Sequence, residues 1–283
     1  MASLRLSNEF SSLFNAEMSK NHTSQAILKL FSTSSFSPFF EILRKMLLRY
    51  HYVHLSNVSF APRRDILEAF ASYFGVFRSP VENTNVRVDC SYDGCSVESL
   101  PLHNDDAILD LIPSFGILQV ENECPLKMPT NGIVLVDDIT TYLQLYDEKL
   151  LQKLLTHRVP MLSLNVSKIV KNDEIVFEEN GKERIVKKSI LVKKNGIFES
   201  RFNLGRINYY YYKMGKKQSL TEKRMIAEFL EVANKFRRSM YLKENDILIY
   251  NNKRTLHDRS ESGLEFGLNN EIKSRSFYIA FAN

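Results

Sequence analysis

Short β-prone runs set at intervals, two Asn-Gly hairpin turns, and helical patterns confined to the N-terminal part and to insertions predict a mainly β fold with helical decoration. A jelly-roll barrel fits this texture better than a parallel α/β sheet, because the β-prone runs follow one another through turns rather than alternating with helices. The chain carries no glycine-rich strand-to-helix fingerprint of a dinucleotide site or a phosphate loop.

Taken in order, residues 1–37 are polar and Ser-rich. They are expected to form an extension, with a short helix or two and an extended lead-in, that packs on one domain of residues 38–283. Pro38 opens a helical pattern through Phe40, Leu43, Met46 and Leu47, which runs into a β-prone stretch from Tyr50 to Leu55. Residues 65–74 read as a second amphipathic helix ended by Gly75. Strands are expected at 100–105, 115–122 and 133–136, and then a helix from Asp137 or Asp138 to Leu155 with Leu150, Leu151, Leu154 and Leu155 on its buried face. Residues 160–194 have a β texture around the Asn180-Gly181 turn, and 190–192 is separated from 198–202 by Asn195-Gly196. Ser219 and Glu222 form a capping-box pattern before a helix bearing Ile226, Phe229, Leu230, Ala233 and Phe236. The tail is β again at 247–250, around His257, and at 276–281.

At 283 residues, 44% of them hydrophobic and 25% charged, the chain is long enough to bury a large core. Much of the net charge of +5 is spread along a middle segment where Lys182, Arg184, Lys187, Lys188, Lys193 and Lys194 are interrupted by Glu178, Glu179 and Glu183. A nucleic-acid face concentrates its bases with few acids between them, so this reads as a solvated surface. Three cysteines, Cys90, Cys95 and Cys124, make neither a disulfide framework nor a four-ligand zinc site. No apolar run approaches the ~20 residues of a membrane span, and no apolar block of a secretory signal opens the chain, so the expected location is the cytoplasm.

The residues that carry chemistry are His103 and Asp105 in Leu100-Pro101-Leu102-His103-Asn104-Asp105, and His257 in Leu256-His257-Asp258-Arg259. On a β-strand, residues two apart share a face. A second strand bringing His257 alongside completes two imidazoles and one carboxylate, the set that holds non-haem Fe(II) with three positions left open. His51 and His54, three apart on a strand, face opposite sides and read as ordinary core or surface histidines.

In these motifs, and in Arg49 to Leu55, Phe70 to Gly75, Gly132 to Asp137, Gly196 to Asn203 and Leu242 to Asn252, the chain resembles the Fe(II)/2-oxoglutarate-dependent oxygenases of the taurine dioxygenase and clavaminate synthase-like group. The resemblance implies a double-stranded β-helix, cupin-like core, with His103, Asp105 and His257 as iron ligands and with 2-oxoglutarate and O₂ as co-substrates. It makes Arg275 the anchor of the far carboxylate of 2-oxoglutarate, a task for which a planar guanidinium is suited. Arg259 is its rival, because the segment from His257 to Arg275 is longer than usual. For the hydroxyl that commonly assists, Thr130 is one candidate, and a shifted alignment puts Ile133 there instead. The implied reaction is hydroxylation of an unactivated C–H bond in a small metabolite such as an amino acid, with desaturation or cyclisation as other outcomes; Asp105 stands where a halogenase would need room for halide. Arg201, Asn203 and the run Tyr209-Tyr210-Tyr211-Tyr212 are candidates for the substrate side. Two rival readings are a protein or nucleic-acid hydroxylase of the same fold and a non-catalytic β-barrel binding protein.

Overall fold

The computed structural model describes residues 2–86, 96–124, 126–163, 167–171, 174–178, 184–266 and 272–283. The two largest sheets among the described residues are built from β1 (Ser3–Arg5), β2 (Tyr52–Ser56), β3 (Phe77–Asn85), β4 (Leu100–His103), β5 (Phe115–Asn122), β6 (Thr130–Leu135), β7 (Arg238–Tyr241), β8 (Ile247–Asn251), β9 (Thr255–Arg259) and β10 (Ser276–Ala282). The larger has the order β1-β2-β8-β5-β10-β3 and the smaller β7-β6-β9-β4. Within them every pairing is antiparallel except β1 with β2.

Alternation along the strands explains how both faces of each sheet are covered. Val53, Leu55, Ile117, Ile247 and Ile249 point outward into a core shared with helices α1 (Asn8–Lys20), α2 (Ser24–Phe31), α3 (Ser37–Tyr50) and α4 (Arg64–Phe74). Their neighbours Tyr52, Val120, Leu248 and Tyr250 point inward and meet Ile133 and Met240 of the smaller sheet. On the far side of the smaller sheet, Leu102, Val134 and Leu256 pack against α5 (Val136–Tyr146), α6 (Glu148–Thr156), α7 (Leu204–Lys213) and α8 (Leu220–Lys235). Helices thus clad both outer faces, and the inner faces are left to enclose a site.

The local rules account for most boundaries. Pro38 sits in the first turn of α3, and His51, with φ of 62°, closes that helix in the left-handed region. The helix therefore keeps Tyr50, and β2 starts only at Tyr52. Residues 137–155 form two helices rather than one, because Asp147 leaves the helical conformation and its carboxylate accepts from Leu150 N at 3.0 Å as the cap of α6. Ser219 caps α8, but the Glu222 side chain does not return to it; Glu222 accepts instead from Tyr211 Oη at 2.8 Å. Asn195 and Gly196, with φ of 50° and 82°, turn the hairpin of Leu191–Lys194 and Ile197–Ser200, as two left-handed residues in a type I′ turn do. The Asn180-Gly181 turn, Cys90 and Cys95 lie outside the described residues. Cys124 is a buried free thiol.

Residues 2–37 are woven into the larger sheet's core. Strand β1 runs beside β2, and Phe14, Met18, Ile27 and Phe31 are buried among the aromatic rings of α3 and α4. Phe31 stacks on Phe40 with ring centroids 3.8 Å apart, and Phe14 meets Phe60 edge-on at 5.3 Å. Among the described residues, no helix is long and apolar enough to cross a membrane. Phe14→Ala is expected to lower unfolding free energy by about 3–5 kcal/mol, because the surrounding rings cannot collapse into the void. Denaturant titration checks this, and a loss below about 1 kcal/mol would show that the segment is an appendage.

Candidate metal centre

His103 and His257 face each other across two antiparallel strands, as direct register partners on β4 and β9. Their rings lie 4.2 Å apart, centroid to centroid. Asp105 completes the set: its Oδ1 is 3.5 Å from His103 Nε2 and its Oδ2 is 3.3 Å from His257 Nε2. One ligand atom from each of the three lies within 4.8 Å of the others. Two ligands bound at about 2.1 Å and at right angles around one ion stand about 3 Å apart, so these spacings are close to what a single ion requires.

Strand alternation does not place Asp105, because β4 ends at His103. Asp105 sits in the following turn, fixed by two buried asparagines. Asn252 Oδ1 accepts from Asp105 N at 2.9 Å, and Asn252 Nδ2 donates to Asp105 O at 3.0 Å. Asn104, between the two ligands, donates to Asn252 O, Thr255 O and Ser200 Oγ while its Oδ1 accepts from Phe202 N. Three chain segments, at 104–105, 200–202 and 252–255, are thereby tied at the point where the carboxylate must turn inward.

Protonation suits a cation. His103 Nδ1 lies 2.9 Å from Pro101 O, a pairing that places the proton on Nδ1 and the lone pair on Nε2. Burial lowers the pKa of His257 despite the neighbouring Asp105, which favours the neutral imidazole. Burial by itself would raise Asp105, but His257 and His103 outweigh it and hold the carboxyl well below the usual range. Tyr250 Oη donates to Asp105 Oδ2 at 2.5 Å. Its phenol is pushed well above the ordinary value, first by burial and then by the Asp105 charge, so it stays a donor. Gly116 leaves room for that ring, since a Cβ there would overlap Tyr250 Cζ and Oη.

The three side chains open on a pocket between the sheets. Leu118, Phe277, Ile279 and Phe281 form apolar walls, and Glu82, Asp106, Asn131, Asn203, Arg206, Arg259 and Arg275 supply its polar lining. The two arginines that compete in the sequence differ sharply in their surroundings. Arg259 is well partnered: through Nη1 and Nη2 it donates to Ser260 O, Ser262 Oγ, Ser96 O and Glu98 O. Arg275 is 2% exposed and, among the described residues, its guanidinium donates only to Asn131 Oδ1, through two long contacts of 3.4 Å. Burial, with Arg259 nearby, lowers its pKa to about 10, which leaves it cationic at neutral pH. A buried guanidinium without a carboxylate partner is costly, and its presence beside a pocket points to an anionic ligand.

Of the other expected site residues, only Asn203 lines the pocket among those described. Thr130 does not line the pocket; its hydroxyl receives Arg237 Nη2 at 3.5 Å, and its neighbour Asn131 faces inward instead. Arg201 donates to Ala107 O at 2.6 Å and also to Leu109 O, so it braces the loop behind Asp105. Asn203 lines the pocket and caps α7 by accepting from Arg206 N. The tyrosine run lies on α7, with Tyr210 buried, Tyr211 bonded to Glu222 and Tyr212 exposed, and none of them reaches the pocket. His51 ends α3 rather than sharing a strand with His54, and the two have different partners, Asp137 and Asp246. Asn131, Asn252 and Tyr250 carry no role in the sequence reading. The signal for Asn131 is parity with the inward-facing Ile133 on β6.

No protein-family model and no curated protein matches the chain. Solved structures do. Asparagine oxygenase in complex with Fe(II), 2S,3S-3-hydroxyasparagine and succinate aligns over 100% of this chain and 93% of its own, at 13% identity and TM-score 0.73. A point mutant of the non-heme iron oxygenase OrfP, in complex with (3S)-hydroxy-L-Arg, aligns over 100% and 94% at 14% identity and TM-score 0.69. OrfP in complex with Fe and alpha-ketoglutaric acid aligns over the same shares at 13% identity and TM-score 0.67. The chain has the fold of these non-heme iron oxygenases.

Tyr250→Phe and Gly116→Ala, one deleting the bond to Asp105 and the other displacing the ring that makes it, are each expected to weaken Mn(II) or Co(II) binding about 10- to 100-fold. Calorimetric titration checks this, and unchanged affinity in both variants would show that Tyr250 does not support Asp105.

Proposed function

We propose that this chain is an Fe(II)- and 2-oxoglutarate-dependent dioxygenase that hydroxylates an unactivated C–H bond of an amino acid or amino-acid derivative, on a double-stranded β-helix core. The observation that carries the reading is the pairing, in one pocket, of a two-histidine, one-carboxylate set with a buried Arg275 that has no acid partner among the described residues. A metal set alone would fit many chemistries. The added guanidinium asks for a small diacid that reaches from the metal to the cation.

In this reading His103 and His257 bind through Nε2, and Asp105 supplies the anionic ligand, held by Tyr250 and Asn252. The bound ion and keto acid together supply the oxidation of a C–H bond by O₂ as 2-oxoglutarate goes to succinate and CO₂. Arg275 orients the diacid by a charge-assisted contact at its far end. Leu118, Phe277, Ile279 and Phe281 exclude water from the space between. The remaining lining offers both signs of charge, with Glu82 and Asp106 as carboxylates and Arg206 as a cation, which suits a small zwitterion. Asparagine oxygenase and OrfP, with hydroxylated asparagine and arginine in their structures, support the same substrate class.

The test is incubation of the purified protein with Fe(II), 2-oxoglutarate and a panel of free amino acids and derivatives, following succinate and one-oxygen mass gain. A substrate-stimulated rise in both is expected, absent from His103→Ala and Asp105→Ala variants that keep the native circular dichroism. Stimulation by peptides or oligonucleotides alone would move the substrate to a macromolecule, and absence of both Fe(II) binding and 2-oxoglutarate binding would overturn the reading.

A further inference from the structure

Asn131 is the part of the pocket that the proposed reading leaves unexplained. It is 7% exposed, and its Nδ2, which carries two N–H donors, has no hydrogen-bond partner among the described residues. Leaving an amide donor unpaired in a buried position is costly unless a ligand completes it. The amide orientation follows from Arg275: Nη1 and Nη2 both direct protons at Asn131 Oδ1, so the oxygen faces the guanidinium and the nitrogen faces away from it. Both residues line the same pocket. Asn131 is placed there by β6, paired with Met240 on one side and Arg259 on the other, so its position does not depend on a loop.

Resting on the reading above, we propose that Asn131 Nδ2 is the second donor to the far carboxylate of 2-oxoglutarate, and that Asn131 orients Arg275 without neutralising it. An amide serves both ends at once. Its oxygen accepts from the cation in the absence of ligand, and its nitrogen donates to the anion when the ligand arrives. A carboxylate in the same shape would satisfy Arg275 permanently and repel the ligand, whereas a hydroxyl on the neighbouring Thr130 points to the other face of the strand.

The experiment titrates 2-oxoglutarate into the Mn(II)-loaded, full-length protein by calorimetry, and compares wild type, Asn131→Ala and Asn131→Asp. A parallel titration uses 2-oxobutanoate, which keeps the keto-acid head but lacks the far carboxylate. Asn131→Ala is expected to weaken 2-oxoglutarate about 10- to 100-fold, the usual effect of losing one hydrogen bond to a charged group. Asn131→Asp, an isosteric change, is expected to weaken it further while raising the melting temperature of the ligand-free protein, because Arg275 gains a permanent partner. Binding of 2-oxobutanoate should stay within about twofold across the three. The inference is overturned if both variants bind 2-oxoglutarate like wild type, or if 2-oxobutanoate is lost in proportion. Wild type that binds Mn(II) but not 2-oxoglutarate removes the proposed function itself, and the role of Asn131 with it.

Discussion

The constraint on which the site depends is the register of β4 against β9. Their antiparallel pairing sets His103 directly opposite His257, and a slip of one residue would send one imidazole to the helix-covered face. Strand β4 is the sheet edge, so the register is held from the β9 side. Strand β9 is also paired with β6 from Thr255 to Arg259, and Leu256 and Val134 are buried on the outer face against α5 to α8. The hydrophobic pattern that makes the smaller sheet fold is thus the pattern that aims two imidazoles inward.

The carboxylate is placed by a different kind of force. Asp105 lies past the end of its strand, and side-chain amides rather than a ladder fix its backbone. Asn104 and Asn252 are fully buried polar groups, and nearly all of their hydrogen-bonding capacity is used within the protein. A satisfied network of this sort rigidifies the turn, and removal of one member leaves the others unpaired in a dry interior. Preorganisation of the proposed ligand set therefore rests on amides outside that set. The pocket beyond is polarised along its length, with His103, Asp105 and His257 on one side and, on another, a guanidinium that meets no acid among the described residues.

Much of this is legible in the sequence where periodicity carries information. The strand at Phe115–Asn122, the helix start at Pro38, the cap at Ser219 and the Asn195-Gly196 turn follow from local rules, whereas the shared pocket of His103, Asp105 and His257 is reached through the family resemblance. Arg275 stands out only through a family resemblance, and what separates it from Arg259 is solvation and pairing, which spacing cannot report. Thr130 illustrates the limit of alignment by resemblance: one residue of offset puts a side chain on the other face of the strand, and the position lining the pocket belongs to Asn131. Tyr250 and Asp105 are 145 positions apart, so their hydrogen bond leaves no local trace. The tyrosine run on α7 resembles a site because aromatic density is conspicuous, yet helical rotation sends those rings in different directions. Asp147, which splits the predicted long helix, is readable in principle as a cap but is hidden inside a continuous apolar pattern.

One small volume is thus assigned both a divalent-metal set and a receptor for a dicarboxylate. A crystal structure of the full chain soaked, without oxygen, with Fe(II) and 2-oxoglutarate reads both at once. The expected result is an ion bound by His103 Nε2, His257 Nε2 and Asp105, with the keto acid's far carboxylate on Arg275. An ion bound elsewhere, or a carboxylate seated on Arg259 with Arg275 untouched, would contradict it.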